Sequence, residues 1–448
     1  MGPIYPVLVC IMMLLGHVYA IEFYLNIVNI LLGCLALIVC TSIRPIIIIL
    51  CTYTYQISVA NTPGEPTWSE YYMTDGRGTV VLLLFVLAGV CFLIFLSKNG
   101  LLTRDSLSSL PMKLTFPIFA LAFLLSGVGS AEWNFLSLAY AALQIVCLYL
   151  VVYLFYLGLR NEDTYELVSY FAYLAALMLL LLVGEMINAF LVNEDAIVDG
   201  SINRHIFKLG WGVGNVLGMN LVALIPLLFY GVMKSRWSVV YFLLAVLDYV
   251  AVLVTLSRNA ALFGGIMFAV CLFICCFCKE RRRLCRIMTL ILVVFGVGVV
   301  IAFKDEILTL LQRYVTSGTS DSGRYSLWRF GYDKFLESPI FGKGFFGLDT
   351  SMKEVAEFLP DMMHNTVFQL LGATGAAGTV AYALYRLQTL VPFLRWPTLE
   401  KTMLGLSALL LVLESLLDNF IFYFQPTFPY AIALAIAFVI YRNQKEEI

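Results

Sequence analysis

Charge is what this chain has least of. Only 13% of its 448 residues are Asp, Glu, Lys or Arg, against 61% hydrophobic. An ordinary soluble domain is about a quarter charged, so this composition excludes one and implies a polytopic membrane protein. The formal net charge of −1 singles out no acidic or basic partner. No basic block is long enough for a nucleic-acid surface. Histidine is scarcer still, with His17, His205 and His364 alone. Cysteine is not scarce, but none of the eleven falls in a segment read below as outward-facing. That argues against a disulfide framework. Cys275, Cys276, Cys278 and Cys285 lack paired CxxC spacing and supporting histidines. They read as apolar filler at a membrane edge rather than metal ligands. No internal repeat is visible.

What the chain has instead is long apolar runs. They lie near residues 4–20, 23–41, 45–60, 79–97, 113–130, 135–157, 166–191, 212–233, 237–256, 259–278, 287–303, 364–385, 404–421 and 424–441. At ~1.5 Å rise per residue, about 20 residues cross a bilayer. The expectation is an all-α fold with about fourteen spans (twelve to fourteen) and one large extracytoplasmic loop. The second and third runs are candidates to merge, and the last begins with Pro426 and Pro429. The first run ends like a signal peptide. It lacks a positive n-region and further runs follow at once, so a retained helix is expected.

Lys and Arg in short loops set the orientation. The run "CKERRRLCR" (residues 278–286) goes to the cytoplasm. Alternation then places both termini inside. Seventeen of the 28 Lys and Arg fall inside and four in short outer loops, which supports the assignment. The other seven lie in one long outer segment. The division expected is 1–303 for eleven spans, 304–363 for the outer segment and 364–448 for three more spans.

Several outer-face residues are candidates for chemistry. Arg258, in "VTLSRNAALFGG", sits at the joint of two spans. It is either a functional cation or a snorkelling helix-end residue. The turn-rich "VTSGTSDSG" precedes "RYSLWRFGYDKFLES". There Tyr325, Trp328, Tyr332 and Phe335 recur at helical spacing, which predicts an amphipathic helix over 324–337, ended by Pro339 and Gly342. That helix would lie on the membrane surface or cap a cavity. Arg324 opens it and Arg329 follows, either as phosphate ligands or as solvated cations. His364 begins the next span, as a candidate base or a structural hydrogen-bonder, and Asp361 is placed to orient its ring. Arg204 and His205 share an outer loop, and His17 reads as packing. Glu185, Asp248, Glu414 and Asp418 lie within apolar runs. Glu414 and Asp418 share a helix face at i, i+4, either as an ion path or as partners for arginines.

Taken together these motifs resemble one family. His364 and Asn365, nine further residues, Gly375, two alanines and Gly378 form a His-Asn-x9-Gly-x2-Gly pattern. It resembles the signature of bacterial O-antigen ligases and O-antigen or capsule polymerases. "SRNA" (residues 257–260) resembles that family's first arginine motif. Residues 322–347 resemble its large outer loop: an arginine, a tryptophan four on, then Ser-Pro-x-x-Gly-x-Gly. Residues 212–227 resemble the span after the preceding outer loop, with Asn215 at its asparagine. Gly214 stands there in place of the usual proline. The resemblance covers residues 212–378, and the earlier spans match in hydropathy alone.

The resemblance implies a metal-independent glycosyltransferase of the all-helical GT-C type, without a cofactor. It would polymerise undecaprenyl-pyrophosphate-linked repeat units at the outer face of a bacterial cytoplasmic membrane. The alternative is a ligase that moves the glycan to another acceptor. A transporter is the rival from another class. Implied catalytic residues are His364, Arg258 and Arg324. Implied substrate-binding residues are Arg258, Arg324, Arg204, Arg329, Asn215 and Asn365. Lipid-linked glycan and the bilayer are the implied partners, with a flippase and a chain-length regulator as further candidates. Nucleic acid is not among them. The motif glycines would let a neighbouring helix approach, and Asn365 or Asp361 would hold the His364 ring.

Overall fold

The computed structural model describes residues 2–19, 21–57, 76–131, 133–198, 201–207, 214–302, 304, 324–346 and 363–447. Among these the chain is helical almost throughout. The one sheet is a two-residue hairpin, Ile197–Val198 against Ser201–Ile202. The helices are α1 Ile4–Tyr19, α2 Glu22–Val39, α3 Arg44–Ile57, α4 Arg77–Lys98, the short α5 Arg104–Ser108, α6 Thr115–Leu124 and α7 Phe135–Leu159. There follow α8 Thr164–Val192, α9 Gly214–Lys234, α10 Ser238–Val254, α11 Arg258–Phe277 and α12 Arg282–Ala302. The last four are α13 Arg324–Glu337, α14 Thr366–Leu394, α15 Leu399–Glu414 and α16 Phe424–Glu446.

Eight helices among the described residues are long and apolar enough to cross a membrane: α2, α4, α7, α8, α9, α11, α12 and α14. The apolar helices α1, α6 and α10 are shorter. Each expected run overlaps one helix, but two bounds change. The run at 113–130 is helical only over Thr115–Leu124. The run at 404–421 is not one helix. The helix stops at Glu414, turns through Ser415–Asn419, and reforms as a 3-10 turn, Phe420–Phe422. Asp418 therefore lies in the turn just beyond α15, although its N–H still donates to Glu414 O at 2.9 Å.

Polar residues at the run boundaries start the helices. Asn134, Asp163 and Thr398 each accept a backbone N–H from the first turn of α7, α8 and α15, which satisfies donors that a helix start leaves open. Pro426 falls in the first turn of α16, where a missing N–H is least disruptive, and Pro429 lies inside the helix. The core is built around α9, whose membrane-length window is 94% buried. It packs against α8, α10, α11 and α15. That enclosure explains why α9 is apolar on every side. On the periphery, α4 and α12 expose Leu83, Val86, Leu290 and Phe295. Hydrocarbon, not water, is the solvent these side chains suit.

Contacts at one end of the bundle are cationic. Arg44 pairs with Glu162 at 2.6 Å and Lys234 with Glu280 at 2.6 Å. Lys98 donates to Ile38 O, Arg442 to Arg160 O and Lys401 to Gln444 Oε1. Every cation named here is one that alternation assigns to the same side.

Candidate functional site

The opposite end of the bundle gathers the motif residues. Ser407 of α15 donates to Ala223 O of α9, and Tyr230 of α9 donates to Glu400 of α15. The two helices are thus antiparallel, and the start of α9 lies level with the end of α15. A Cβ on Gly214 would meet Thr255 O at 3.1 Å, and one on Gly218 would meet Ala260 Cβ at 2.6 Å. The turn carrying Arg258 therefore rests on the start of α9. Asn215, Arg258 and the Ser415–Asn419 turn share one level.

The Arg258 turn is tight because its residues cap one another. Thr255 Oγ1 donates to Val252 O and accepts from Ser257 N. Leu256 is left-handed at φ +55°. Ser257 then caps α11, accepting from Ala260 N. Arg258 is the first residue of α11, with an exposed side chain.

His364 sits in the second tight turn, left-handed at φ +48°. A non-glycine residue there costs about 1–3 kcal/mol and persists only where its surroundings hold it. The hold is visible. Asn365 caps α14, its Oδ1 accepting from Val367 N and Phe368 N, and its Nδ2 donates to Leu416 O. Thr366 donates to Ser415 O through both N and Oγ1. The start of α14 is therefore stitched to the turn after α15.

That stitching presents Asp418 to the histidine. Asp418 Oδ1 lies 2.9 Å from His364 Nδ1 and also accepts Asn419 N at 2.8 Å. The histidine side chain is 38% exposed and the aspartate 5%. A carboxylate only accepts, so it fixes the Nδ1–H tautomer and leaves Nε2 with its lone pair. Asp418 thus takes the orienting role expected of Asn365 or Asp361. Both ends of the Asn365 amide are engaged by backbone, and Asp361 lies outside the described residues. The signal that would have found Asp418 is the cluster Ser415, Asp418, Asn419, polar residues interrupting an apolar run.

Of the two motif glycines, Gly375 serves a turn rather than a neighbouring helix, and Gly378 faces the Thr374 side chain of its own helix. Helix α14 is broken at Gly375, with φ +63° and ψ −162°, a region essentially restricted to glycine. The Ser-Pro-x-x-Gly-x-Gly turn enters the break. Lys343 N and Gly344 N donate to Gly372 O and Ala373 O, while Ala376 N and Ala377 N donate to Pro339 O and Ile340 O. A Cβ on Gly375 would lie 2.5 Å from Ile340 O. One on Gly342 would lie 2.4 Å from the Ala373 carbonyl carbon. The same turn is tied to the end of α6 and the start of α7: Gly127 N donates to Phe341 O, and Phe346 N to Ser137 Oγ.

Helix α13 spans the residues predicted from its aromatic spacing, and it docks on the first half of α14. Trp328 stacks on Phe368 at 5.7 Å and 12°. Gly331 permits the approach, since a Cβ there would meet Phe368 O at 3.0 Å. Arg324, half-buried, opens α13, and Arg329 is exposed. Lys343 and then Lys334 hold the Glu337 carboxyl below the usual carboxylate range. Residues 305–323 and 347–362 of the outer segment, and the side chains of Arg204 and His205, lie outside the description. The backbone of Arg204–Phe207 forms a 3-10 turn.

Of the remaining intramembrane acids, Glu414 adjoins this site, its carbonyl accepting from Asp418 N at 2.9 Å. His17 Nε2 is 3.6 Å from Glu185 Oε1. The carboxyl oxygens of Glu185, Asp248 and Glu414 are buried without a hydrogen-bond partner. None of the three pairs with an arginine among the described residues. No group of three or more His, Cys, Asp or Glu suited to a metal ion occurs among the described residues.

No curated protein matches the chain. The family model described as O-Antigen ligase matches residues 240–383. That range holds Arg258, Arg324, Arg329, His364, Asn365 and both motif glycines. Arg204, Asn215 and Asp418 lie beyond it. Over residues 240–383 the chain is similar to the O-antigen ligase family, whose members are glycosyl-transferring enzymes.

Proposed function

We propose that the protein polymerises undecaprenyl-pyrophosphate-linked oligosaccharide repeat units at the outer face of a bacterial cytoplasmic membrane. The observation that carries this reading is the His364–Asp418 pair, set at the same bundle end as the arginine motifs. An acceptor hydroxyl gives its proton to His364 Nε2 as its oxygen attacks the anomeric carbon. The bond from that carbon to the pyrophosphate oxygen breaks, and the electron pair leaves with the pyrophosphate. Asp418 stabilises the imidazolium that forms, as a buried carboxylate does in hydrolase triads. Arg258 and Arg324 neutralise the charge developing on the departing pyrophosphate, so the reaction requires no metal or cofactor. Arg329 and Asn215 bind glycan or phosphate on the approach, and Arg204 remains a candidate for the same role. Asn365 is a positioning residue, because its amide is already engaged.

In this reading all fourteen apolar helices cross the membrane in a GT-C-like arrangement with both termini inside. The cationic contacts of Arg44, Lys98, Lys234, Lys401 and Arg442 at the end opposite His364 favour that orientation. A flippase and a chain-length regulator are the partners expected around such an enzyme. The family description favours ligation as a second reading. Feeding membranes the host's own lipid-linked oligosaccharide separates the two. A ladder of products spaced by one repeat unit supports polymerisation. Transfer of preformed glycan to a different acceptor supports ligation. No transfer, with movement of lipid-linked glycan across the bilayer, would make the protein a transporter.

A further inference from the structure

We infer that Gln369 is a positioning residue that holds His364 and Asp418 in register, an assignment that rests on the glycosyl-transfer reading of this site. The two partners stand on different helix ends, one before α14 and one after α15. Their contact depends on how those ends are fixed to each other.

Gln369 lies in the first turn of α14 and is fully buried. Its backbone N–H is bonded to Asn365 O. Its side-chain oxygen accepts two hydrogen bonds. One comes from Met363 N at 2.8 Å and the other from Asn419 Nδ2 at 2.9 Å. Met363 immediately precedes His364, and Asn419 immediately follows Asp418. A single carbonyl oxygen therefore grips the neighbour of each partner. Asn419 closes the circuit, because its N–H donates to the same Asp418 oxygen that faces the histidine. The left-handed His364 backbone needs such an external hold.

An apolar side chain at 369 would leave two buried N–H donors without this acceptor. The turns would then settle at a different spacing, and the ring would lose its fixed tautomer and direction. Both bonds to the Gln369 oxygen come from chain neighbours of the partners, so its effect passes through the pair.

The test uses membranes carrying the full protein and the host's extracted lipid-linked oligosaccharide. Transfer is followed against pH, per amount of protein, for the wild type, Gln369→Met, Asp418→Asn and the double variant. Gln369→Met should slow transfer by about 10- to 100-fold, the scale of a small misplacement of catalytic groups. It should also displace the ascending limb of the pH profile. In the Asp418→Asn background it should add less than about twofold, because coupled residues are not additive. A wild-type rate and pH profile in Gln369→Met, or a full multiplicative loss in the double variant, would overturn the assignment. If Gln369→Met does not accumulate, Asn419→Ala removes one of the two bonds. It should move the pH profile in the same direction, and an unmoved profile overturns the assignment. Asp418→Asn at the wild-type rate would contradict the reading of the whole site. Asp418→Asn slow with Gln369→Met normal would contradict Gln369 alone.

Discussion

His364 and Asp418 meet at 2.9 Å although 54 residues separate them in the chain. One is left-handed and partly exposed, the other buried in the turn where an apolar run breaks. The exposed ring nitrogen faces away from the carboxylate. This arrangement would hold the proposed base in one tautomer at the edge of an apolar bundle.

The break in α14 should be intolerant of any side chain. Gly375→Ala combines a backbone conformation costing about 1–3 kcal/mol outside glycine with a Cβ 2.5 Å from Ile340 O. Membrane accumulation or glycan output should fall at least about tenfold, the fold-change that 1.4 kcal/mol gives. Gly89→Ala, with nothing within 4 Å of the added Cβ, should match the wild type. Immunoblots and glycan gels of both variants check this, and equal behaviour would remove the wedge from the account.

The arginines should resist conservative exchange. Lysine keeps the charge and loses the planar fork that binds phosphate at two points. Arg258→Lys and Arg324→Lys should each lower transfer roughly 10²-fold, the cost of losing one well-placed transition-state donor. The rate per molecule of protein is the readout. Wild-type rates in both variants would take pyrophosphate binding away from these positions.

Glu337 should matter little despite its two lysines. Lys343 and Lys334 depress its folded-state pKa, so its contribution is present at neutral pH and fades as pH falls through that lowered value. The Glu337 side chain is half exposed, and exposed pairs are heavily screened. Glu337→Gln should leave thermal stability and output near the wild type at neutral pH. A large loss there would mean the turn depends on this pair more than its exposure allows.

The sequence shows some of this directly and hides the rest for physical reasons. Helix α13 was legible because Tyr325, Trp328 and Tyr332 recur at helical spacing. Arg258 was legible because a cation between two apolar runs is costly. The break at Gly375 was not, since the apolar run passes through it without interruption. Only the inserted turn, some thirty residues earlier, requires the break. Asp418 reads in the sequence as a membrane acid on a helix face, because hydropathy carries no mark of where α15 ends. Gln369 looked like an ordinary polar residue in a span, and its two bonds reach chain neighbours that only the fold brings near.

The central claim is that His364, oriented by Asp418, takes the acceptor proton. The measurement is the rate of glycan transfer against pH in membranes, compared between the wild type and His364→Ala at equal protein. The account predicts a loss of about 10²–10⁴-fold with donor still bound, and disappearance of the ascending limb. A His364→Ala protein that keeps the wild-type pH dependence in its residual activity, and fails to bind donor, would make His364 a binding residue and contradict the claim.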